Sequence, residues 1–160
     1  MLAPSPSTPE EKIEYAYQLF DVQIRPLPAE ELITEAIDIY ERQSNEFGLA
    51  EAYRAYGAFF QSPTLEKWQR HYKQNGFLDK TATYDNRYEK SVEYFEKSAQ
   101  LYAKNNNYYM LANVYLNMGF SYEYAAKNDR ACEAFKKSLN TKHKFTKNHL
   151  DARELLPRGF

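Results

Sequence analysis

Disulfides, membrane spans and a strong charge of either sign are all missing from this sequence, and each gap narrows what the chain can be. Cys132 is the single cysteine among 160 residues, so no internal disulfide can form. It lies between Arg130 and Phe135 in an expected helix, which reads as a buried, unreactive thiol. No apolar run approaches the roughly 18 residues of a membrane-spanning helix, so no membrane span is expected. The formal charge of −1 lacks the basic excess of a general nucleic-acid binder, and no nucleic acid is expected as a partner. No signal peptide is apparent. The compartment stays open between the cytoplasm and, were an export signal to precede Met1, a tethered periplasmic location.

The chemistry of catalysis is equally sparse. No glycine-rich phosphate loop, nucleophile elbow or Cys–His pairing is present. Of the three histidines, His143 and His149 are six residues apart and ringed by lysines, not the i, i+4 pair of a one-face helical metal site. No metal, no cofactor and no catalytic residue is expected. The one grouping that can be drawn as an acid–base cluster is His71 with Tyr72 and Asp79, which keeps an enzyme using that stretch as an alternative reading.

Aromatics, by contrast, are abundant, with 15 Tyr and 10 Phe against only five Gly. They recur at helical spacing. Ile13, Ala16, Tyr17 and Phe20 make one amphipathic face of a helix from about Pro9 to Ile24. Thr8, Pro9, Glu10 and Glu11 give it a capping hydroxyl, a first-turn proline and acids at the positive end of the dipole. Arg25-Pro26-Leu27-Pro28 breaks that helix. A second runs from Pro28 to about Ser44, with Ala29, Ile33, Ala36, Ile37 and Tyr40 on one face.

The sequence then repeats itself. Leu49, Ala50, Tyr53 and Gly57 fall opposite Leu111, Ala112, Tyr115 and Gly119 at an offset of 62 residues. At the same offset Ala29, Ile33, Ala36 and Tyr40 fall opposite Ser91, Phe95, Ser98 and Tyr102. Part of the extra length is an insertion at about Gln61 to Asp85, with Leu65, Trp68 and Tyr72 on one face of a short helix. Asn75-Gly76 is expected to end it in a left-handed cap, with Phe77 and Leu78 tucking back as the apolar contact. A helix from Arg87 to Lys104 follows.

The clearest unit is Leu111 to Ser138, LANVYLNMGFSYEYAAKNDRACEAFKKS. Gly119 lets two helices approach closely, Tyr115 and Tyr122 bracket it, Ala131 and Ser138 are small, and Phe135 fills the space between. This unit resembles the tetratricopeptide repeat, a helix–turn–helix of 34 residues with an aromatic, a Leu-Gly pair, a Tyr, then Ala and Phe. The resemblance implies an all-α chain, a right-handed α-solenoid of about three helix–turn–helix repeats with a helical insertion in the second. Residues 1–9 form a Pro/Ser lead-in, 10–145 the repeat domain, and 146–160 a cap or tail in which Leu150, Leu155 and Leu156 add a helical turn. The first pair carries Tyr17 where Gly119 sits, so its helices are expected to lie further apart.

The resemblance further implies a protein–protein interaction module, an adaptor or scaffold holding a peptide segment or helix in a concave groove lined by the first helix of each unit. Groove positions counted this way are Glu14, Tyr15 and Gln18, then Arg54, Ala58 and Gln61, then Asn113, Asn117, Phe120 and Tyr124. Some members of the family clamp a C-terminal carboxylate with Lys and Asn; the paired lysines are absent here, and Glu14 has the wrong charge. Trp68, His71 and Tyr72 in the insertion, beside Arg70 and Lys73, either add a partner-binding edge or cap a small core of their own. A self-associating structural protein, a homo-oligomer joined through its edge helices, is the remaining alternative.

Overall fold

The computed structural model of the protein describes residues 5–154, the side chains of 150–154 excepted. The start of the lead-in and the expected packing of Leu150, Leu155 and Leu156 lie outside the described residues. Among the described residues the structure is helical with no strand: α1 (Pro9–Tyr17), α2 (Pro26–Arg42), α3 (Glu46–Gln61), α4 (Thr64–Lys67), α5 (Gln69–Asn75), α6 (Arg87–Lys104), α7 (Tyr108–Tyr124) and α8 (Asn128–Glu154). A single wide turn, Gln18–Val22, extends α1.

Local chemistry sets the helix starts. The Thr8 side chain accepts from the Glu11 N–H at 3.1 Å, and Pro9 occupies the first turn of α1. Asn45 caps α3 by accepting from the Gly48 N–H at 2.9 Å, and Asn107 caps α7 by accepting from the Met110 N–H at 3.2 Å. The turns before α3, α7 and α8 are alike. Ser44, Asn106 and Ala126 take φ of 51°, 55° and 58°, and the next N–H reaches back to the carbonyl of Tyr40, Tyr102 or Tyr122. This is the six-residue return that closes a helix with one left-handed residue.

Two boundaries differ from expectation. α2 begins at Pro26, ahead of the expected Pro28, because both prolines sit in the first turn, where helical N–H groups have no partner to lose. α8 continues unbroken past Asn140, and the expected border between residues 145 and 146 falls inside it; no glycine or proline interrupts that stretch.

The helices pack in chain order, α1 on α2, α2 on α3, α3 on α6, α6 on α7 and α7 on α8, while α1 and α7 also touch α3. Gly57 lies under Phe95, where an added Cβ would meet the ring at 2.8 Å, and Gly119 lies under Phe135, where it would meet the ring at 2.2 Å. Ser98 Oγ donates to the Ala50 carbonyl at 2.8 Å, and Ser138 Oγ donates to the Ala112 carbonyl at 2.7 Å. Small residues thus bring α6 onto α3 and α8 onto α7 in the same register.

Two cores result. One holds Phe20, Ile33, Tyr56, Phe59 and Phe60, and the other holds Phe95, Tyr102, Val114 and Met118. Among the described residues no helix packs on the outer side of α8, which is exposed. Cys132 lies there, exposed, which corrects the expectation of a buried thiol.

The insertion belongs to the first core and makes no satellite of its own. Leu65, Tyr72, Phe77, Ala82 and Tyr84 are all buried in it. Tyr72 and Phe77 stack at 4.2 Å between centroids. Gly76 adopts φ 70° and ψ −164°, a backbone region open in practice to glycine alone, and its N–H reaches the Tyr72 carbonyl. Phe77 then tucks back as expected, but Leu78 does not: it is exposed, and its N–H donates to Glu30 at 2.6 Å. The single expected helix is broken at Trp68 into α4 and α5. The break lets the indole N–H donate to the Ile24 carbonyl at 3.1 Å, beside the Thr64 hydroxyl that donates to the Phe20 carbonyl.

Candidate functional site

α1, α3 and α7 lie side by side, and their exposed faces shape two concavities. The first, about 310 Å³, is lined by residues that include Tyr17 and Asp21, Arg54 and Gln61, and Asn113, Asn117 and Tyr124. The second, about 340 Å³, lies between α1 and α3 and is lined by Glu10, Ile13, Glu14, Phe47 and Glu51 among others. Tyr17 and Arg54 belong to both, so the two meet across this pair.

Each helix contributes at helical spacing. Glu10, Glu14, Tyr17 and Asp21 run at i, i+4, i+7 and i+11, a stripe along α1 and its wide turn. In that turn the Gln23 N–H bonds the Gln18 carbonyl at 3.0 Å, so an extra residue is accommodated and Leu19 and Phe20 are both buried. Arg54, Ala58 and Gln61 repeat the stripe on α3, and Asn113, Asn117 and Tyr124 on α7.

Arg54 is the electrostatic centre. It pairs with Glu51 at 3.0 Å, and its guanidinium stands 5.9 Å from the Tyr17 ring centroid. Burial works against its charge, but Tyr17 and Glu51 outweigh it and hold the cation more firmly than usual. Burial pushes the Tyr17 phenol up to about 12, against the opposing pull of Arg54. Partial burial also raises the Asp21 carboxyl.

Gln61 closes one end of the concavity by joining α3 to α7. Its Nε2 donates to the Asn117 carbonyl at 2.9 Å and to Ser121 Oγ at 3.0 Å. Ser121 Oγ lies 2.8 Å from Ser91 Oγ, and Ser91 lies 2.7 Å from the Gly57 carbonyl. A carbonyl only accepts, so the Ser91 proton goes to Gly57, and Ser121 must donate to Ser91 while accepting from Gln61. One directed chain of hydrogen bonds therefore ties together α3, α6 and α7.

No family model matches the chain, and neither a curated protein nor a solved structure matches it. The geometry itself therefore carries the functional reading.

Of the residues expected in the groove, Arg54, Ala58, Gln61, Asn113, Asn117 and Tyr124 come together around the first concavity, and Glu14 lines the second. Tyr15 and Gln18 are exposed but line neither; Tyr17 and Asp21 stand in the places expected of them. Phe120 is 38% exposed and packs edge-on against Phe135 at 5.4 Å, outside the concavity. In the insertion, Trp68 packs on the first core and His71 is half-buried, its Nδ1 3.3 Å from Asn75 Nδ2. Tyr72 is 1% exposed, so its place among partner contacts is corrected: stacking on Phe77 has drawn the ring into the core. His71 and Asp79 share no hydrogen bond, since Asp79 accepts from Thr81 at 2.7 Å and from Tyr94 at 2.8 Å. Tyr17, Asp21 and Glu51 escaped the sequence reading. The acid–aromatic stripe Glu10, Glu14, Tyr17, Asp21 was the signal that could have found the first two. Among the described residues no three His, Cys, Asp or Glu side chains converge as a metal site.

Proposed function

We propose that the chain is a protein-interaction module of the tetratricopeptide type: a right-handed α-solenoid of about three helix–turn–helix repeats whose concave face holds a peptide segment or helix of a partner, as an adaptor or assembly scaffold does. The observation that carries this reading is the gathering of α1, α3 and α7 side chains around one open, amide- and aromatic-lined concavity. The repeated seating of Phe95 on Gly57 and Phe135 on Gly119 supports the repeat assignment. A concave surface built from several elements, mostly preformed, with a few convergent polar groups, is the usual form of a binding site.

The test is capture of partners from the native host with the full chain as bait, beside a variant carrying Asn113→Ala and Tyr124→Ala. Both residues are exposed, so melting temperature should hold while recovery of specific partners falls. Arg54 is unsuited to this control, since reversing it would set a second carboxylate beside Glu51. Recovery unchanged by the double variant would move the binding surface away from the concavity.

A second reading is favoured by the outer side of α8, where Leu139 is 59% exposed and no helix lies over it among the described residues. A second copy covering that face would make a homo-oligomer. Molecular mass that falls on dilution supports it, and a concentration-independent monomer rejects it.

A further inference from the structure

The two joined concavities leave two needs unmet by the protein itself. The first is polar. The Tyr17 hydroxyl and the Arg54 Nε–H are buried, and neither has a hydrogen-bond partner among the described residues. Leaving such a group unsatisfied is unfavourable, because it loses its water and gains no partner. The Arg54 Nε–H can only donate, so what answers it must bring an acceptor oxygen.

The second need is charge. Glu10, Glu14 and Asp21 line the walls, and no ion pair engages them among the described residues. The one cation there among the described residues, Arg54, is already matched by Glu51 at 3.0 Å. A carboxylate guest brought to Arg54 would therefore enter an acidic setting. A neutral carbonyl oxygen would not be repelled, and a cationic side chain beside it would be drawn in.

We propose that this groove takes an extended peptide segment bearing Lys or Arg, with a main-chain carbonyl accepting from the Arg54 guanidinium and the cationic side chain set against Glu10, Glu14 or Asp21. The inference rests on the peptide-binding reading above and specifies its occupant. A main-chain carbonyl suits Arg54 because every residue of an extended segment offers one, so the side chain is left to supply the charge.

The experiment pans a phage-displayed library of random peptides against the full chain, then titrates labelled copies of the enriched peptides. The protein is used as wild type, as Glu14→Gln with Asp21→Asn, and as Asn113→Ala with Tyr124→Ala. The expected result is enrichment of Lys and Arg over the starting library, affinity that falls as salt rises, and binding weaker by about tenfold in the neutralised variant. Enriched peptides that are neutral or acidic overturn the inference and leave the groove reading standing. So do basic peptides that bind the neutralised variant undiminished, provided that the Asn113/Tyr124 variant still weakens them. No enrichment, or peptides indifferent to the Asn113/Tyr124 variant, overturns the groove reading as well. Unchanged melting of both variants shows that any loss is one of binding.

Discussion

Gly119 lies so close beneath Phe135 that a Cβ there would stand 2.2 Å from the ring Cε1. Real contacts of this kind do not occur, so Gly119→Ala must displace the ring or the helix that carries it. Alanine is favoured over glycine inside a helix by about 1 kcal/mol, and overpacking opposes it by roughly 1–3 kcal/mol. The close approach should win. Gly119→Ala and Gly57→Ala are both expected to lower stability in urea denaturation, and Phe135→Ala combined with Gly119→Ala should lose less than the two single changes together. Gly57→Ala has less room for relief, because Phe95 is fully buried whereas Phe135 is half-exposed on the terminal helix. A stabilised Gly119→Ala would mean that α7 and α8 stand further apart than described.

Two carboxyls near the insertion should respond to pH with opposite signs. Glu30 is 2% exposed; burial raises its carboxyl, although Tyr56 donates to its Oε1 at 2.8 Å and the Leu78 N–H at 2.6 Å. The folded state therefore holds the proton more tightly than the unfolded chain. That contribution is greatest below the ordinary value of 4.5 and is lost as pH rises through the folded value. Asp79 is also pushed up by burial, but bonds from Thr81 and Tyr94 and the charge of Lys90 outweigh this and hold it below the usual range. Its contribution is present above the ordinary 3.8 and is lost as pH falls through the folded value. Unfolding free energy measured against pH should show Glu30→Gln gaining on wild type as pH rises, since one amide oxygen can accept both bonds made to Oε1. Asp79→Asn should gain on wild type as pH falls. Slopes of the same sign would contradict the two environments.

The all-helical character and the close approach at both glycines were legible because they rest on one-residue identities at fixed spacing. Gly57, Phe95, Gly119 and Phe135 announce themselves by period. The turn repeat at Ser44 and Asn106 carried no such sign, since neither residue is the glycine expected at positive φ. The wall of the concavity was miscounted at Tyr15 and Gln18 although Glu10, Glu14, Tyr17 and Asp21 keep ordinary helical spacing, because a count from the start of a repeat does not say which side of α1 turns toward α3. The insertion's share of the core was hidden for another reason. The bonds that hold it run to the Phe20 and Ile24 carbonyls and to the Glu30 carboxylate, contacts far apart in sequence that no local pattern encodes.

Ala126 joins α7 to α8 with φ 58°, exposed and with a Cβ in the left-handed region. That conformation costs an L-residue about 1–2 kcal/mol, and glycine escapes it while losing a little more chain entropy on folding. Ala126→Gly should therefore stabilise the chain by up to about 1 kcal/mol, or raise the melting temperature by about 2–4 °C. A destabilised Ala126→Gly would place this residue in the ordinary right-handed region instead.

The hydroxyl chain from Gln61 to Gly57 makes the most discriminating forecast. Ser91 and Ser121 are both fully buried and lie 2.8 Å apart, with the direction of the bond fixed by the Gly57 carbonyl at one end and the Gln61 amide at the other. Removing either hydroxyl should cost about 1 kcal/mol, the net worth of a buried hydrogen bond with some penalty for the partner left behind. Once Ser121 is alanine, Ser91 has already lost its donor, so a further Ser91→Ala removes only the bond to Gly57. The double variant should therefore lose less than the two single losses combined, by about 0.5 kcal/mol or more, in a urea-denaturation cycle. The third helix pair offers a built-in comparison. Ala131 of α8 stands in the register of Ser91, so Ala131→Ser can reach the Gly119 carbonyl but has no second hydroxyl waiting for it, and it should gain at most that one bond. Strict additivity of Ser91→Ala and Ser121→Ala would mean that the two hydroxyls do not bond, and the link between α6 and α7 in this chain would then be absent.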